Sequence, residues 1–216
     1  MNILAVSDVE LNIIYNPAIS ERFRHTDVII GCGDLPYYYM EYMISTLDRT
    51  LYYVRGNHAP KPFEEGTGGP RTYPWGGVDL HQRVVRDPSG LLLAGIEGSV
   101  RYNEGKHQYT QTEMWLMASK MVPRLLLNRA RYGRALDILV THAPPWKIHD
   151  QDDLPHQGIH AFRWLVETFQ PALHLHGHIH IYHSQAVAET RVGATRVINA
   201  YGFREIQLDL PTRERV

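Results

Sequence analysis

The stretch that decides the fold is Leu51-Tyr52-Tyr53-Val54-Arg55-Gly56-Asn57-His58, in which a short apolar run is followed by an arginine, a glycine, an amide and an imidazole. A short apolar run bounded by a glycine is typical of a buried strand, because a strand that is covered on both faces needs no polar alternation. Polar side chains placed directly after such a strand lie at the edge where open α/β sheets bind their ligands.

The same arrangement recurs along the chain. Further apolar runs cover residues 3–6, 28–30, 91–94, 138–140 and 173–175. The polar clusters near their ends are Asp8-Val9-Glu10, Gly33-Asp34, Glu97-Gly98, Thr141-His142, and the pair His178 and His180. Because strands of one sheet can bring their ends together, we expect these groups to converge on one rim. Carboxylate, amide and imidazole groups are the donors of a two-metal hydrolytic centre.

Bulk composition narrows the class of protein. The 216 residues fit a single domain, residues 1–216, since the clusters extend from residue 8 to residue 180. Lys and Arg number 22 against 23 Asp and Glu, so no global field selects nucleic acid or a membrane surface. The single cysteine, Cys32, excludes an internal disulfide and fits a reducing compartment. No signal-peptide pattern opens the chain and no segment has the length of a membrane span, so we expect a cytoplasmic protein.

Early strands alternate with helices, which predicts an α/β protein, and the strand-rich tail predicts a second sheet packed on the first. Helices are expected over residues 17–23 and over residues 38–47, a stretch without Gly or Pro, and apolar spacing predicts two more over residues 111–121 and 159–169. Pro123 is expected to end the third of these helices and to begin another that extends to about Arg131.

Asp34 is the natural bridge between two ions, because the small Gly33 before it lets backbone and ion approach closely. Asn57 offers a neutral carbonyl oxygen. His58 would point elsewhere from the same turn and would be free for proton transfer.

Taken in order, these clusters resemble the calcineurin-like metallophosphoesterase superfamily, whose series is Asp-x-His, Gly-Asp, Gly-Asn-His, a His after a strand, and Gly-His-x-His. The corresponding residues here are Asp8-Val9-Glu10, Gly33-Asp34, Gly56-Asn57-His58, His142 and Gly177-His178-Ile179-His180. The resemblance covers nearly the whole chain. It implies a four-layer αββα fold, in which a sandwich of two sheets is flanked by helices.

The resemblance also implies a ligand set for two divalent cations, Mn²⁺ first, with iron, Mg²⁺ or Zn²⁺ as alternatives. One ion would take Asp8, Asp34 and His180, with Glu10 as an open fourth ligand. The other would take Asp34, Asn57, His142 and His178. With Asp34 and Asn57, His58 would form the catalytic group and would protonate the leaving oxygen or stabilise the transition state.

Two positions depart from the family pattern. Glu10 stands where the family has His, so Asp8, Glu10 and Asp34 sum to −3 against +4 for two divalent ions. We hypothesise that the extra negative charge weakens the pull on a dianionic monoester more than on a monoanionic diester. Ala59 stands where many members carry an acidic residue, so that His58 would lack a carboxylate partner.

These features predict a dinuclear metal-dependent phosphoesterase in which metal-bound hydroxide attacks phosphorus in line. A small phosphodiester or nucleotide is the favoured substrate, and one of Tyr37, Tyr38 and Tyr39 could stack on a base, although core packing also explains tyrosines. The alternatives are a phosphomonoesterase and a weakly active or inactive binding scaffold on the same fold. A metallo-β-lactamase-like hydrolase needs an early His-x-His-x-Asp-His cluster, which the sequence lacks.

Several polar residues have simpler explanations. His174 and His176 are expected in the core or behind the ligands, and Asp150, Asp152 and Asp153 in a solvated loop. Glu97-Gly98 is best explained as a strand end and turn, with a place in the cleft as the alternative. Arg101, Asn103 and His107 could hold a distal phosphate, but exposed polar loop residues need no such role.

Overall fold

The computed structural model describes residues 1–58, 63–64, 70–182 and 187–209. Two main sheets, with strands numbered in chain order, form the centre of the described part. The first contains, in spatial order, β15 (Gly202–Gln207), β1 (Asn2–Ser7), β2 (Val28–Gly31), β3 (Leu51–Tyr53) and β6 (Gly77–Asp79). The second contains β13 (Glu189–Val192), β14 (Thr195–Asn199), β12 (Leu173–His176), β11 (Ile138–Thr141), β8 (Leu92–Ile96) and β7 (Arg83–Arg86).

Two short strand pairs and the helices complete the described part. The remaining strands pair as β4 (Phe63–Glu64) with β5 (Pro70–Arg71) and β9 (Ser99–Val100) with β10 (Gln108–Tyr109). The helices are α1 (Ile19–Arg22), α2 (Tyr37–Leu47), α3 (Gln111–Tyr132) and α4 (His160–Phe169), and a single 3₁₀ turn covers Leu154–His156.

The inner strands of both sheets are parallel, which puts their carboxyl ends on one side. In the first sheet Ile30 pairs with Ala5 on one side and Tyr52 on the other. In the second sheet Val140 pairs with Gly95 and Leu175. The polar clusters predicted from the sequence follow these same strands, so the register brings their positions to one rim.

Side-chain alternation along β1 explains the layers. Ile3 and Ala5 belong to the apolar cluster between the sheets, whereas Leu4 and Val6 pack with α1 and α2 on the outer face. On the other outer face α3 and α4 cover the second sheet, with Leu139 of β11 in their cluster. Since both faces of each central strand are buried, the strands are continuous apolar runs, and the predicted four-layer αββα fold is confirmed.

Helix α3 differs from the prediction. We expected Pro123 to separate two helices, but a single helix extends from Gln111 to Tyr132 with Pro123 inside it. The expectation was wrong because a proline removes one backbone hydrogen bond, a cost that packing on both sides of it can offset. Met121 before the proline and Leu125 after it are both buried against the second sheet. Within the described residues no helix is both long and apolar enough to cross a membrane.

Candidate metal centre

Three side chains from separate strand ends meet at the rim. Asp8 follows β1, Asp34 follows β2 and His142 follows β11. One potential ligand atom from each lies within 4.8 Å of those of the other two. These residues are far apart in sequence, so the parallel register of the two sheets is what assembles them.

The backbone at this rim is held in an unusual conformation. Asp8, Asp34 and His178 have φ values of 68°, 55° and 67°, a left-handed region that non-glycine residues seldom adopt. Local hydrogen bonds hold them there: the Asp8 N–H donates to the Gly33 carbonyl at 3.1 Å, and the His178 N–H donates to the Asp8 carboxylate at 3.1 Å. Such strained positions cluster at functional sites, since they need support from their surroundings.

Two glycines allow the close approach. A Cβ at Gly177 would lie 2.6 Å from Asp8 Oδ2, and one at Gly33 would lie 2.8 Å from the Gly56 nitrogen. Neither position has room for a side chain. The glycines that precede Asp34 and His178 are therefore needed for packing, as their place in the sequence pattern suggested.

We predict that Gly177→Ala will strongly weaken divalent-metal binding, because the added methyl group must displace the Ser7 hydroxyl and the Asp8 carboxylate. Gly133→Ala is the matched control, since a Cβ at Gly133 meets nothing within 4 Å and adds only the strain of a φ of +74°. We expect the control to lose about 1 kcal/mol of stability and to keep its metal affinity, measured by calorimetry. Equal metal affinities in the two variants would contradict this account of Gly177.

His142 points its Nε2 atom at the cluster. Its Nδ1 donates to the Cys32 carbonyl at 2.8 Å, which in the neutral ring leaves Nε2 as an acceptor. That Nε2 lies 3.2 Å from Asp34 Oδ2 and 3.0 Å from Asn57 Oδ1. Imidazole nitrogen, carboxylate oxygen and amide oxygen therefore converge, and acceptors face one another stably only with a proton or a metal cation between them.

The pKa values of His142, Asp34 and Asp8 are all shifted at this site. Burial alone would lower the pKa of His142, but the Asp34 carboxylate beside it raises that pKa to about 9. Burial alone would raise the pKa of Asp34, but His142 outweighs it and lowers that pKa to about 2. Burial raises the pKa of Asp8. In the metal-free chain a proton on His142 thus supplies positive charge that a divalent cation would supply instead, so the residues fit such an ion.

The histidine pair lies beside this cluster. His178 Nε2 donates to the Pro155 carbonyl at 2.8 Å, and its ring centroid is 4.8 Å from that of His142. Burial lowers the pKa of His178 to about 3, so the ring is neutral and Nδ1 keeps its lone pair. His180 Nε2 lies 3.8 Å from Asp8 Oδ1, and its Nδ1 lies 2.6 Å from the Tyr182 hydroxyl. Both imidazoles lie next to predicted ligands, but neither belongs to the group formed by Asp8, Asp34 and His142.

Glu10 and His58 are more exposed. The Glu10 carboxylate accepts a hydrogen bond from the Tyr38 hydroxyl at 2.5 Å and is outside the group formed by Asp8, Asp34 and His142. The main-chain N–H of His58 donates to Asp34 Oδ1 at 2.8 Å, which leaves its ring at the open side of the site. Glu10 as a ligand and His58 as an acid stay predictions, and Ala59 lies outside the described residues.

The sequence predicted only a strand end and turn at Glu97, but the structure shows a buried carboxylate with several hydrogen-bond partners. It is 4% exposed and accepts hydrogen bonds from the Tyr109 hydroxyl at 2.6 Å and from His107 Nδ1 at 2.8 Å. Burial would raise its pKa, but these donors and His81 lower it to about 2. An acid before a glycine at the end of an apolar strand was the available signal, because Asp8 and Asp34 occupy similar strand ends.

We predict that Glu97 contributes to stability above its unfolded-state pKa and that this contribution is lost on acidification. A fall in pKa from 4.5 to about 2 corresponds to roughly 3 kcal/mol at neutral pH. The difference in the free energy of unfolding between the wild type and Glu97→Gln should therefore shrink as the pH falls from about 5 to 2. Urea titrations at several pH values measure it, and a difference that does not vary with pH would contradict the prediction.

Other polar residues serve the scaffold. His174 and His176 are fully buried: His174 Nε2 lies 2.8 Å from the Thr141 hydroxyl, and His176 Nε2 lies 2.9 Å from His149 Nδ1. The Asp150 carboxylate accepts the main-chain N–H of Lys147 and of Gly158 and so stabilises its own loop. Arg101 pairs with Glu113 at 3.0 Å.

Carboxylates and an imidazole that meet at the strand ends of a two-sheet αββα fold define a candidate site for a divalent metal. The family model described as calcineurin-like phosphoesterase matches residues 1–182, and the chain belongs to this family.

Solved structures share the fold at low identity. One superimposes with a TM-score of 0.60 at 13% identity, over 96% of this chain and 99% of that chain. TT1561 of Thermus thermophilus gives 0.58 at 16%, over 93% of this chain and 89% of that chain. Vacuolar Protein Sorting 29 from Cryptosporidium parvum gives 0.42 at 10%, over 92% and 72%. A search of curated proteins returned no match. The likenesses to the first two structures concern the fold alone.

Proposed function

We propose that this protein is a divalent-metal-dependent phosphoesterase with a dinuclear centre, and that Mn²⁺ is its first-choice metal. The observation that supports this most is the meeting of His142 Nε2 with Asp34 Oδ2 at 3.2 Å and with Asn57 Oδ1 at 3.0 Å, three atoms that can all accept. Mixed oxygen and nitrogen donors suit Mn²⁺ and iron as well as Zn²⁺.

The residues that would hold the ions are Asp8, Asp34 and His180 for one, with Glu10 within the same loop, and Asp34, Asn57, His142 and His178 for the other. When bound, the two ions would acidify water and neutralise charge on the phosphoryl group.

The chain's own residues would prepare the remaining chemistry. Asp34 would belong to both ligand sets, and two contacts support this role: its Oδ1 accepts the His58 N–H while its Oδ2 faces His142. His58 follows directly after Asn57, and its exposed ring can give a proton to the leaving oxygen. The Cys32 and Pro155 carbonyls keep His142 and His178 in the tautomers that a metal requires.

A phosphodiester, including a nucleotide, is the substrate class we propose. A cavity of about 550 Å³ borders His180 and is lined in part by Ile148, Ile179 and Tyr182. This space could take an organic group attached to phosphate. Of the three tyrosines after Asp34, Tyr37 and Tyr39 are buried and pack in the core. The exposed Tyr182 is therefore a better candidate than these two for stacking on a base.

The charge at position 10 provides a test of this preference. Glu10→His would restore the family's residue and add one unit of positive charge if the site includes Glu10. We predict that the ratio of monoesterase to diesterase activity rises in this variant, measured with p-nitrophenyl phosphate and bis-p-nitrophenyl phosphate. A wild type that favours the monoester, or an unchanged ratio, would contradict the charge argument and favour the phosphomonoesterase alternative.

The proposal as a whole is tested by assaying the purified protein on the same esters, once in the presence of Mn²⁺ and once in the presence of a chelator. The His58→Ala variant tests the role of His58 as the general acid. We expect turnover that requires the metal and that falls in the variant, by less on these esters than the roughly 10²- to 10⁴-fold usual for a general acid, because p-nitrophenolate leaves readily without a proton. An absence of metal-dependent turnover would overturn the proposal in favour of a binding scaffold.

A further inference from the structure

The orientation of the Asn57 side chain decides which of its atoms faces the metal centre. Asn57 is buried, and the two ends of its amide have nearly the same shape. With Oδ1 toward His142 it presents an acceptor that can bind a cation. Rotated by half a turn, it would present an NH₂ group, which cannot.

The Tyr102 hydroxyl holds the productive orientation. Asn57 Nδ2 donates to this hydroxyl at 3.0 Å, while Oδ1 lies 3.0 Å from His142 Nε2. The hydroxyl, which accepts from Asn57, can in turn direct its own proton toward His58 Nε2 at 3.5 Å. The Tyr102 hydroxyl therefore lies within hydrogen-bond distance of both side chains of the Asn57-His58 pair.

The loop that carries Tyr102 is fixed at its base. The buried side chain of Gln108 accepts the main-chain N–H of Tyr102 and of Asn103, each at 3.1 Å. Pairing of β9 with β10 closes the loop, with the Arg101 N–H donating to the Tyr109 carbonyl at 3.0 Å. A hydroxyl on such a loop is placed in advance and needs little ordering when metal binds.

Glu97 ties this loop to the strand that leads to Asn57. Its carboxylate binds His107 and Tyr109, as described above, and Arg55 at 3.3 Å. The next residue, Gly98, donates its N–H to the Arg55 carbonyl at 2.9 Å. Both partners of the bond between Tyr102 and Asn57 are thus anchored to one buried acid.

We propose that Tyr102 is a positioning residue: its hydroxyl fixes the Asn57 amide so that the carbonyl oxygen, and not the NH₂ group, faces the divalent cations. The proposal rests on the function given above, because Asn57 is a ligand only where such ions bind. Partners that orient a ligand in this way typically contribute about 10- to 100-fold to metal affinity.

The test is a double-mutant cycle on Mn²⁺ affinity, measured by calorimetry on the wild type, Tyr102→Phe, Asn57→Asp and the double variant. Tyr102→Phe should weaken binding about 10- to 100-fold in the wild type. In the Asn57→Asp background it should leave the affinity nearly unchanged, because either oxygen of a carboxylate can face the ion. Tyr52→Phe is the matched control, since its hydroxyl bonds Asp87 away from the site.

A second measurement needs no metal. In spectra of the ¹⁵N-labelled metal-free protein, the Asn57 side-chain NH₂ should exchange with solvent faster in Tyr102→Phe than in Tyr52→Phe.

The possible outcomes separate the two proposals. A wild type that binds Mn²⁺ no better than Tyr102→Phe would overturn the role of Tyr102 and leave the proposed function standing. An equal loss in the wild-type and Asn57→Asp backgrounds, or unchanged amide exchange, would likewise reduce Tyr102 to a structural residue. A wild type that binds no divalent ion would overturn both.

Discussion

Asp34→Asn is expected to lower Mn²⁺-dependent kcat/KM by about 10³-fold or more. Asp34 belongs to both predicted ligand sets, so its neutralisation should remove several kcal/mol of charge stabilisation from the transition state. Each ~1.4 kcal/mol that is lost lowers the rate tenfold. Asparagine keeps the shape and tolerates the left-handed backbone, so the effect reports the charge and not the fold. Steady-state kinetics on bis-p-nitrophenyl phosphate at saturating Mn²⁺ provide the measurement.

Asp48→Asn is the control for Asp34→Asn. Asp48 has almost the same backbone conformation, with φ of 52° against 55° for Asp34, but it ends α2 and is not part of the metal cluster. We expect wild-type kinetics from it. An Asp34→Asn enzyme within tenfold of the wild type would mean that Asp34 does not bridge the ions.

His142→Gln is expected to lower the free energy of unfolding of the metal-free protein by about 3–5 kcal/mol at pH 7. His142 is fully buried and charged there, because Asp34 raises its pKa to about 9. Glutamine has a similar volume but no charge, so the carboxylates of Asp34 and Asp8 lose their buried counter-charge, and removal of one partner of a buried pair carries a cost of this size. Urea unfolding in the presence of a chelator measures the loss.

The control for His142→Gln is His25→Gln. His25 Nε2 lies 2.8 Å from a Glu205 carboxylate oxygen, and its side chain is 50% exposed, so we expect a change within about 1 kcal/mol. Similar losses in the two variants would contradict the electrostatic account of His142.

How much the sequence predicts depends on the range of the interactions. The apolar runs and the stripe over 159–169 are local patterns, and strands and helix α4 appear where these patterns predict them. The polar clusters that follow several strands predicted a shared rim, because neighbouring parallel strands end on the same side of a sheet. The continuous helix through Pro123 was missed because tertiary packing, which a local breaker signal does not contain, outweighs the lost hydrogen bond.

Groups that support the site are harder to predict because they are distant in sequence. His142 takes its tautomer from the Cys32 carbonyl, 110 residues away, and Asn57 is oriented by Tyr102, 45 residues away. A main-chain carbonyl has no sequence signature, and a loop tyrosine has many simpler explanations. The residues predicted to bind the metal follow a sequence motif, whereas the residues that orient them are recognised only from their contacts in the folded chain.

Anomalous diffraction from crystals soaked in Mn²⁺ tests the central claim most directly. We predict two peaks roughly 3.5–4 Å apart at the strand ends, with Asp34 between them and His142 and His178 bound to one ion. Crystals that take up no Mn²⁺ at Asp8, Asp34 and His142 would contradict the account.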